Sequence, residues 1–361
     1  MITHKHRFSR LSSWIKQHRA LSLTLLGIFL IAIASGITLY LLSRPQQTKQ
    51  PQPSTPVVKK EEPKPKFYAP LTGVEVSDEP TTTKPVTGIM IENSPDARPQ
   101  SGLKQAEIVY EAIAEGGITR FLALYQQNKP QLIGPVRSVR MYYVDWLKPY
   151  DASVAHVGGS AAALKEVRNG SYRDLDQFFN SASYWRATDR YAPHNVYTSF
   201  DKLDALNAAK GFTSSSPKVF TRKDSGAAET PQATSISVTM SGPLYNSSYT
   251  YDKTTNLYTR YQAGGVHNDR EDGAITPRVV IVIKATMQNV MEDGWREQYQ
   301  TTGSGNAVIF QDGTAQEVTW HKADRSSQYS FTGTDGKEVA LARGQTWISV
   351  IPEGEGGVHW Q

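Results

Sequence analysis

The sequence predicts an α+β or α/β domain followed by a mainly antiparallel β domain, both carried behind one membrane-spanning helix and a Pro-rich linker. Three observations predict it. Residues 20–42 form an uncharged apolar stretch, short apolar runs alternate with helical stretches from 67 to about 215, and strand-and-turn patterns fill the chain from 236 onward. The 361 residues suffice for two domains of ordinary size.

The elements follow in chain order. Residues 1–19 are a basic tail with Lys5, Arg7, Arg10, Lys16 and Arg19 and no acid. Residues 20–42, ALSLTLLGIFLIAIASGITLYLL, are long enough at about 1.5 Å per residue to cross a hydrocarbon core of about 30 Å. The one-sided basic flank predicts a cytoplasmic N-terminus and an extracytoplasmic remainder. An A-x-A pattern at 32–34 leaves a cleaved signal peptide as the alternative. Residues 43–66 carry Pro45, Pro51, Pro53, Pro56, Pro63 and Pro65 among Gln, Thr and Lys, the composition of an extended spacer.

In the first domain, 67–220, strands are predicted at 86–91, 108–114 and 118–125, the last two joined at Gly116-Gly117. A further strand at 152–157 feeds the turn Gly158-Gly159-Ser160, and helices are expected at 141–147, 161–168 and 201–210. The second domain, 233–361, reads as strands at 236–240, 249–252, 257–261, 279–285, 307–311, 317–321, 329–332, 338–342 and 347–351. Asp312-Gly313 and Asp335-Gly336 stand between such runs as hairpin signals. The boundary falls in the small-residue patch at 213–234.

Composition narrows the chemistry. With no cysteine, disulfides, thiol nucleophiles, cysteine-ligated metals and acylation of an N-terminal cysteine are excluded. The net charge of +5 is uneven: residues 1–66 hold 11 Lys+Arg against 2 acids, leaving 28 against 32 from 67 onward. The folded part is therefore slightly acidic, which argues against a nucleic-acid partner.

Candidate site residues cluster in the first domain. Arg98, Glu111, Glu115, Arg120, Arg137 and Arg140 lie in apolar or small surroundings, where unpaired charge is costly. Strand periodicity puts Glu111 and Glu115 on one face, with Arg120 opposite one of them across the hairpin. The cluster is either an internal ion-pair network or an anion site. As a site, its arginines bind phosphate or carboxylate, and Glu111 or Glu115 serves as the acid of a carboxylate pair. His156 at a strand end and His194 in a loop after Arg186 and Arg190, together with Asp145, are candidates for a base or a metal ligand, Arg186, His194 and Asn195 for binding the ligand, and Ser160 for holding a phosphate at a helix start. No metal motif occurs, so no metal and no other cofactor is expected.

The stretches ARPQSGL (97–103), AEIVYEA (106–112), EGGITRF (115–121), GPVRSVR (134–140), HVGGS (156–160) and APHN (192–195) resemble the YerB-like family of bacterial extracytoplasmic proteins, in order and over about 80% of the chain. The resemblance implies a two-domain envelope protein, in a family whose members are usually lipoproteins. This chain departs from it in having no cysteine to acylate, so the apolar helix stands in for the lipid. A looser likeness of arrangement to cell-wall ligases of the LytR-CpsA-Psr type implies a pyrophosphate held by Arg120, Arg137 and Arg140. The expectation is a membrane-anchored cell-envelope protein that binds, cleaves or transfers peptidoglycan, an anionic wall polymer or a lipid-linked intermediate through the Arg/Glu cluster. The rival expectation is a non-catalytic assembly or scaffold protein with that cluster as structural ion pairs.

Overall fold

The computed structural model describes residues 13–44 and 65–361, which fall into two separate units. The basic tail up to residue 12 and the Pro-rich stretch at 45–64 lie outside the described residues. In the first unit, helix α1 (Arg19–Leu42) has no buried residue and is long and apolar enough to cross a membrane. The hydroxyls of Thr24 and Thr38 donate to the carbonyls of Ala20 and Ala34 at 2.7 and 2.8 Å, which satisfies them within the helix.

The second unit is built on a ten-stranded mixed sheet and a five-stranded antiparallel one. The first half supplies β1 (Thr87–Glu92), β2 (Ile108–Glu115), β3 (Ile118–Tyr125), β4 (Ser153–His156) and β5 (Arg173–Asp176). The second half supplies β6 (Ser235–Thr239), β7 (Ser247–Asp252), β8 (Leu257–Gln262), β9 (Gly265–Val266), β10 (Val279–Ala285), β11 (Met287–Met291), β12 (Trp295–Tyr299), β13 (Gly303–Gln311), β14 (Thr314–Lys322), β15 (Ser330–Gly333), β16 (Thr346–Pro352) and β17 (Gly357–Trp360). The large sheet runs β15-β14-β13-β10-β16-β2-β3-β1-β4-β5 and the small one β9-β8-β7-β6-β17. The large sheet therefore passes through both halves of the chain, joined where β16 pairs in parallel with β2, Thr346 opposite Ile108 and Ser349 opposite Glu111.

Both faces of the large sheet are covered at its central strands, which is why these are near-continuous apolar runs: every residue of β1 is buried, whereas β14 alternates buried and exposed residues. Alternate residues feed two cores. Tyr110, Leu122 and Leu124 pack with α2 (Met141–Leu147) and α3 (Ala161–Val167) through Tyr142, Tyr143, Trp146 and Val167. Val109, Phe121 and Ala123 pack with α4 (Phe200–Ala209) and with Ile236, Val238 and Tyr249 of the small sheet.

The β2–β3 hairpin closes at Gly116 and Gly117, both at positive φ (57° and 78°), a conformation that costs glycine nothing. Asp312-Gly313 likewise closes β13–β14. The strand expected at 338–342 is broken: Leu341–Ala342 pair with Arg222–Lys223, and Glu338 forms an isolated bridge with Thr332.

Candidate functional site

Strands β1, β4 and β5 are neighbours and parallel, so their carboxyl ends open on one edge of the sheet, where α/β folds place ligands. At the end of β1, Glu92 is buried, and its Oε1 takes three partners. The Ser94 hydroxyl donates to it at 3.0 Å, His194 Nδ1 lies at 2.9 Å, and Arg137 Nε lies at 3.4 Å. Among the described residues, Glu92 Oε2 is buried without a hydrogen-bond partner. Because one imidazole nitrogen is fixed on the carboxylate, the other is set toward the open side, with Nε2 4.0 Å from Asp96 Oδ2.

His194 forms part of the wall of a cleft of about 710 Å³ shared with Asp96, Arg98, Asp189, Arg190, Tyr191 and Arg270. Its arginines are held in different ways. Arg190 donates to the carbonyls of Asp96 (3.1 Å) and Pro99 (2.6 Å), and Arg98 to the Asn93 side chain (3.0 Å) and to the carbonyls of Asn93 and Leu244 (both 2.8 Å). Carbonyl and amide oxygens fix a guanidinium without neutralising it. Arg270 instead donates to Asp189 at 2.6 Å. Asn195 shapes the loop from within, donating to the carbonyls of Ala187 (3.1 Å) and Arg190 (3.3 Å) and accepting from Arg186 (2.7 Å). Arg186 itself faces a neighbouring hollow.

The remaining expected residues are elsewhere, and several need correcting. Glu111 does not face a cleft: it is fully buried, its Oε2 accepting from Arg260 Nη2 (2.7 Å) and Trp347 Nε1 (3.1 Å), its Oε1 from the Thr119 hydroxyl (3.2 Å). Glu115 sits between two guanidiniums, Arg120 Nη2 at 2.9 Å and Arg140 Nη2 closer still. Burial works against its charged form, and the two arginines overcome it, holding the carboxyl at about 2. Arg120 and Arg140 are nearly sealed and also donate to the carbonyls of Ser138 and Val139, both at 2.9 Å. They do not converge with Arg137, which turns to Glu92.

Asp145 joins neither histidine: it is tied to Arg325 and accepts from the Thr301 hydroxyl at 2.7 Å. Ser160 occupies the residue before α3 with no side-chain capping bond. Gly159 beside it is required by a close approach, since a Cβ there would fall 2.7 Å from Val139 Cγ1 and 2.9 Å from its carbonyl oxygen. His156 is bracketed by the Gly158 carbonyl at Nδ1 (2.7 Å) and Asp174 at Nε2 (2.9 Å), with Asp176 nearby. These three side chains have metal-like spacing. His156 thus bridges the Gly158 carbonyl and Asp174, a clamp between β4 and β5. Glu92 is hidden in the sequence because it ends a largely apolar run, residues 86–91. The signal that marks it is the polar Glu92-Asn93-Ser94 immediately after that run.

Comparison with known proteins settles the family. The N-terminal domain of the family described as "Protein of unknown function (DUF3048)" matches residues 71–213, and its C-terminal domain matches residues 236–348. YerB of Bacillus subtilis (strain 168), a candidate lipoprotein, is 33% identical over 293 residues, 80% of this chain and 87% of YerB. The chain belongs to this YerB-like family. The crystal structure of Bacillus subtilis YerB superposes with a TM-score of 0.73 at 29% identity, covering 81% of this chain and 99% of that one. An apolar N-terminal helix and a candidate lipoprotein as relative together point to membrane association or secretion.

Proposed function

We propose that this YerB-like chain is a single-pass membrane protein, N-terminus inside, whose folded part works in the cell envelope. There it binds an anionic wall glycan or a lipid-linked anionic intermediate in the cleft of Arg98, Arg190, Arg270 and His194. The observation that carries this reading is the Glu92–His194 pair: a buried carboxylate holds one imidazole nitrogen at 2.9 Å beside an open cleft whose Arg98 and Arg190 end on uncharged oxygens. Such a pair orients histidine as an acid or base, and guanidiniums held by carbonyls keep their charge for phosphate or carboxylate. The cleft thus takes over the role that the sequence suggests for Glu111 and Glu115.

A second reading has its own support. Arg120, Arg140 and Arg260 pair with Glu115 and Glu111 as internal ion pairs, which is what a non-catalytic assembly protein requires of them. Titration calorimetry of the full chain in detergent with inorganic pyrophosphate tests the cleft. Binding is expected and is expected to weaken in Arg190→Ala; no binding, or binding indifferent to that change, overturns the cleft reading. Mass spectrometry of purified wall material incubated with the protein separates the two readings: sugar released by the wild type and not by His194→Ala marks an enzyme, and no release marks the assembly role.

A further inference from the structure

Phe178 and Phe179 stand on the turn after β5 with 67% and 71% of their surface exposed. Two adjacent phenylalanines in water are a liability in an isolated globule, and a loose loop would let them fold back onto it. This turn is instead built from beneath. Asp176, wholly buried, accepts at Oδ1 from the backbone N–H of Gly158 (3.3 Å) and of Phe178 (3.2 Å), and its Oδ2 pairs with Arg168. The Asp176 carbonyl accepts from the Phe179 N–H (3.1 Å) and from Asn180 Nδ2 (2.7 Å). The His156 clamp fixes Gly158 and Asp174 alongside, and the Arg168 guanidinium lies 4.9 Å from the centre of the Phe179 ring. A buried acid, a buried histidine and an arginine are thus committed to holding two apolar rings in solvent.

Beside Phe179 opens a hollow of about 360 Å³, lined also by Arg168, Tyr172, Phe212, Asp174, Asn180 and Lys210, with Phe178 next to it on the turn. Aromatic rings beside a carboxylate, an amide, an ammonium and the Arg168 guanidinium match one ligand chemistry, a saccharide, which lays the C–H face of a sugar on an aromatic ring and turns its hydroxyls to polar groups. A bilayer fits less well, because the Asp174 carboxylate in the hollow opposes insertion. We propose that the Phe178–Phe179 turn and this hollow form a saccharide-binding subsite for uncharged sugar units. It rests on the reading of the cleft as a glycan site: β1, β4 and β5 are adjacent, about 4.8 Å apart, so Glu92 and the turn are about 10 Å apart across the strand ends. A glycan lying along that edge places its anionic group in the cleft and a neighbouring sugar on the phenylalanines.

The test uses the full chain in detergent, with a neutral chito-oligosaccharide as the sugar probe and inorganic pyrophosphate as the cleft probe, each titrated calorimetrically. Phe178→Ala and Phe179→Ala are expected to weaken the sugar by about tenfold or more while pyrophosphate changes less than about twofold, and Phe179→Tyr to retain both. Thermal midpoints check that the variants fold. Absent sugar binding with intact pyrophosphate binding overturns the subsite alone; absence of both overturns the cleft as well. The chain has no native cysteine, so a nitroxide on Phe178→Cys reports its surroundings in vesicles. A label accessible to aqueous relaxants and shielded by the sugar supports the subsite, and one immersed in lipid overturns it.

Discussion

Arg260 and Arg190 belong to the same molecule and differ in what they end on. Arg260 is closed to solvent, meets the equally closed Glu111 at 2.7 Å, and lies 4.5 Å over the ring of Trp347. Arg190 reaches the carbonyls of Asp96 and Pro99 at the rim of an open cleft. The first arrangement cancels charge in order to bury it, and the second positions charge in order to keep it. The kind of partner, more than the density of arginine, separates scaffold from site.

The largest effect should come from breaking the sealed pair. Glu111→Ala leaves the Arg260 guanidinium buried and uncompensated, and is expected to cost about 3–5 kcal/mol in denaturant unfolding of the full chain. The double change Glu111→Leu with Arg260→Met is expected to recover much of that loss, since an apolar pair of similar size needs no partner. A single variant as stable as the wild type would show that the pair is open to water.

The half-exposed network at Glu115 gives an intermediate effect with a definite sign. Its carboxyl titrates at about 2 in the folded chain against 4.5 for the ordinary group. Between those values the unfolded chain binds more protons than the folded one. The network therefore contributes stability above about pH 4.5 that is lost as the pH falls toward 2, less than the shift alone implies because water screens it. Glu115→Gln is expected to flatten the slope of the thermal midpoint in that window.

At the cleft, Arg190→Ala is expected to change stability by less than about 1 kcal/mol while weakening pyrophosphate, the reverse of the profile at Glu111. Smallest of all, Ser160→Ala is expected to cost at most about 0.5 kcal/mol, because Ser160 makes no capping bond. A loss of about 1 kcal/mol or more in denaturant unfolding would mean that its hydroxyl supports the Gly158–Gly159 turn.

Local signals were legible where a backbone conformation suits only a few residue types, or where apolar residues run without a break. Gly116-Gly117 and Asp312-Gly313 mark their hairpins, and the apolar runs of β1, β2 and β10 mark strands covered on both faces. The β11–β12 hairpin escaped because Gln288, Asn289, Glu297 and Gln298 dilute its alternation. Partners far apart in sequence were invisible on principle: Arg260 lies 149 residues from Glu111, and His194 lies 102 from Glu92. Glu111 and Glu92 are both glutamates in apolar strands. Only the fold decides that one meets a buried arginine and the other a histidine beside open space.

The parallel pairing of β16 with β2 makes residues 346–349 structural neighbours of residues 108–111. Until residues 346–352 have emerged, the main-chain groups along that side of β2 have no strand to bond, and such a free edge is where chains pair wrongly with one another. Contacts of such long sequence separation form late in folding. Truncating the last quarter of the chain would remove five of the ten strands of the large sheet and leave β2 as a sticky seam instead of the border of an independent half.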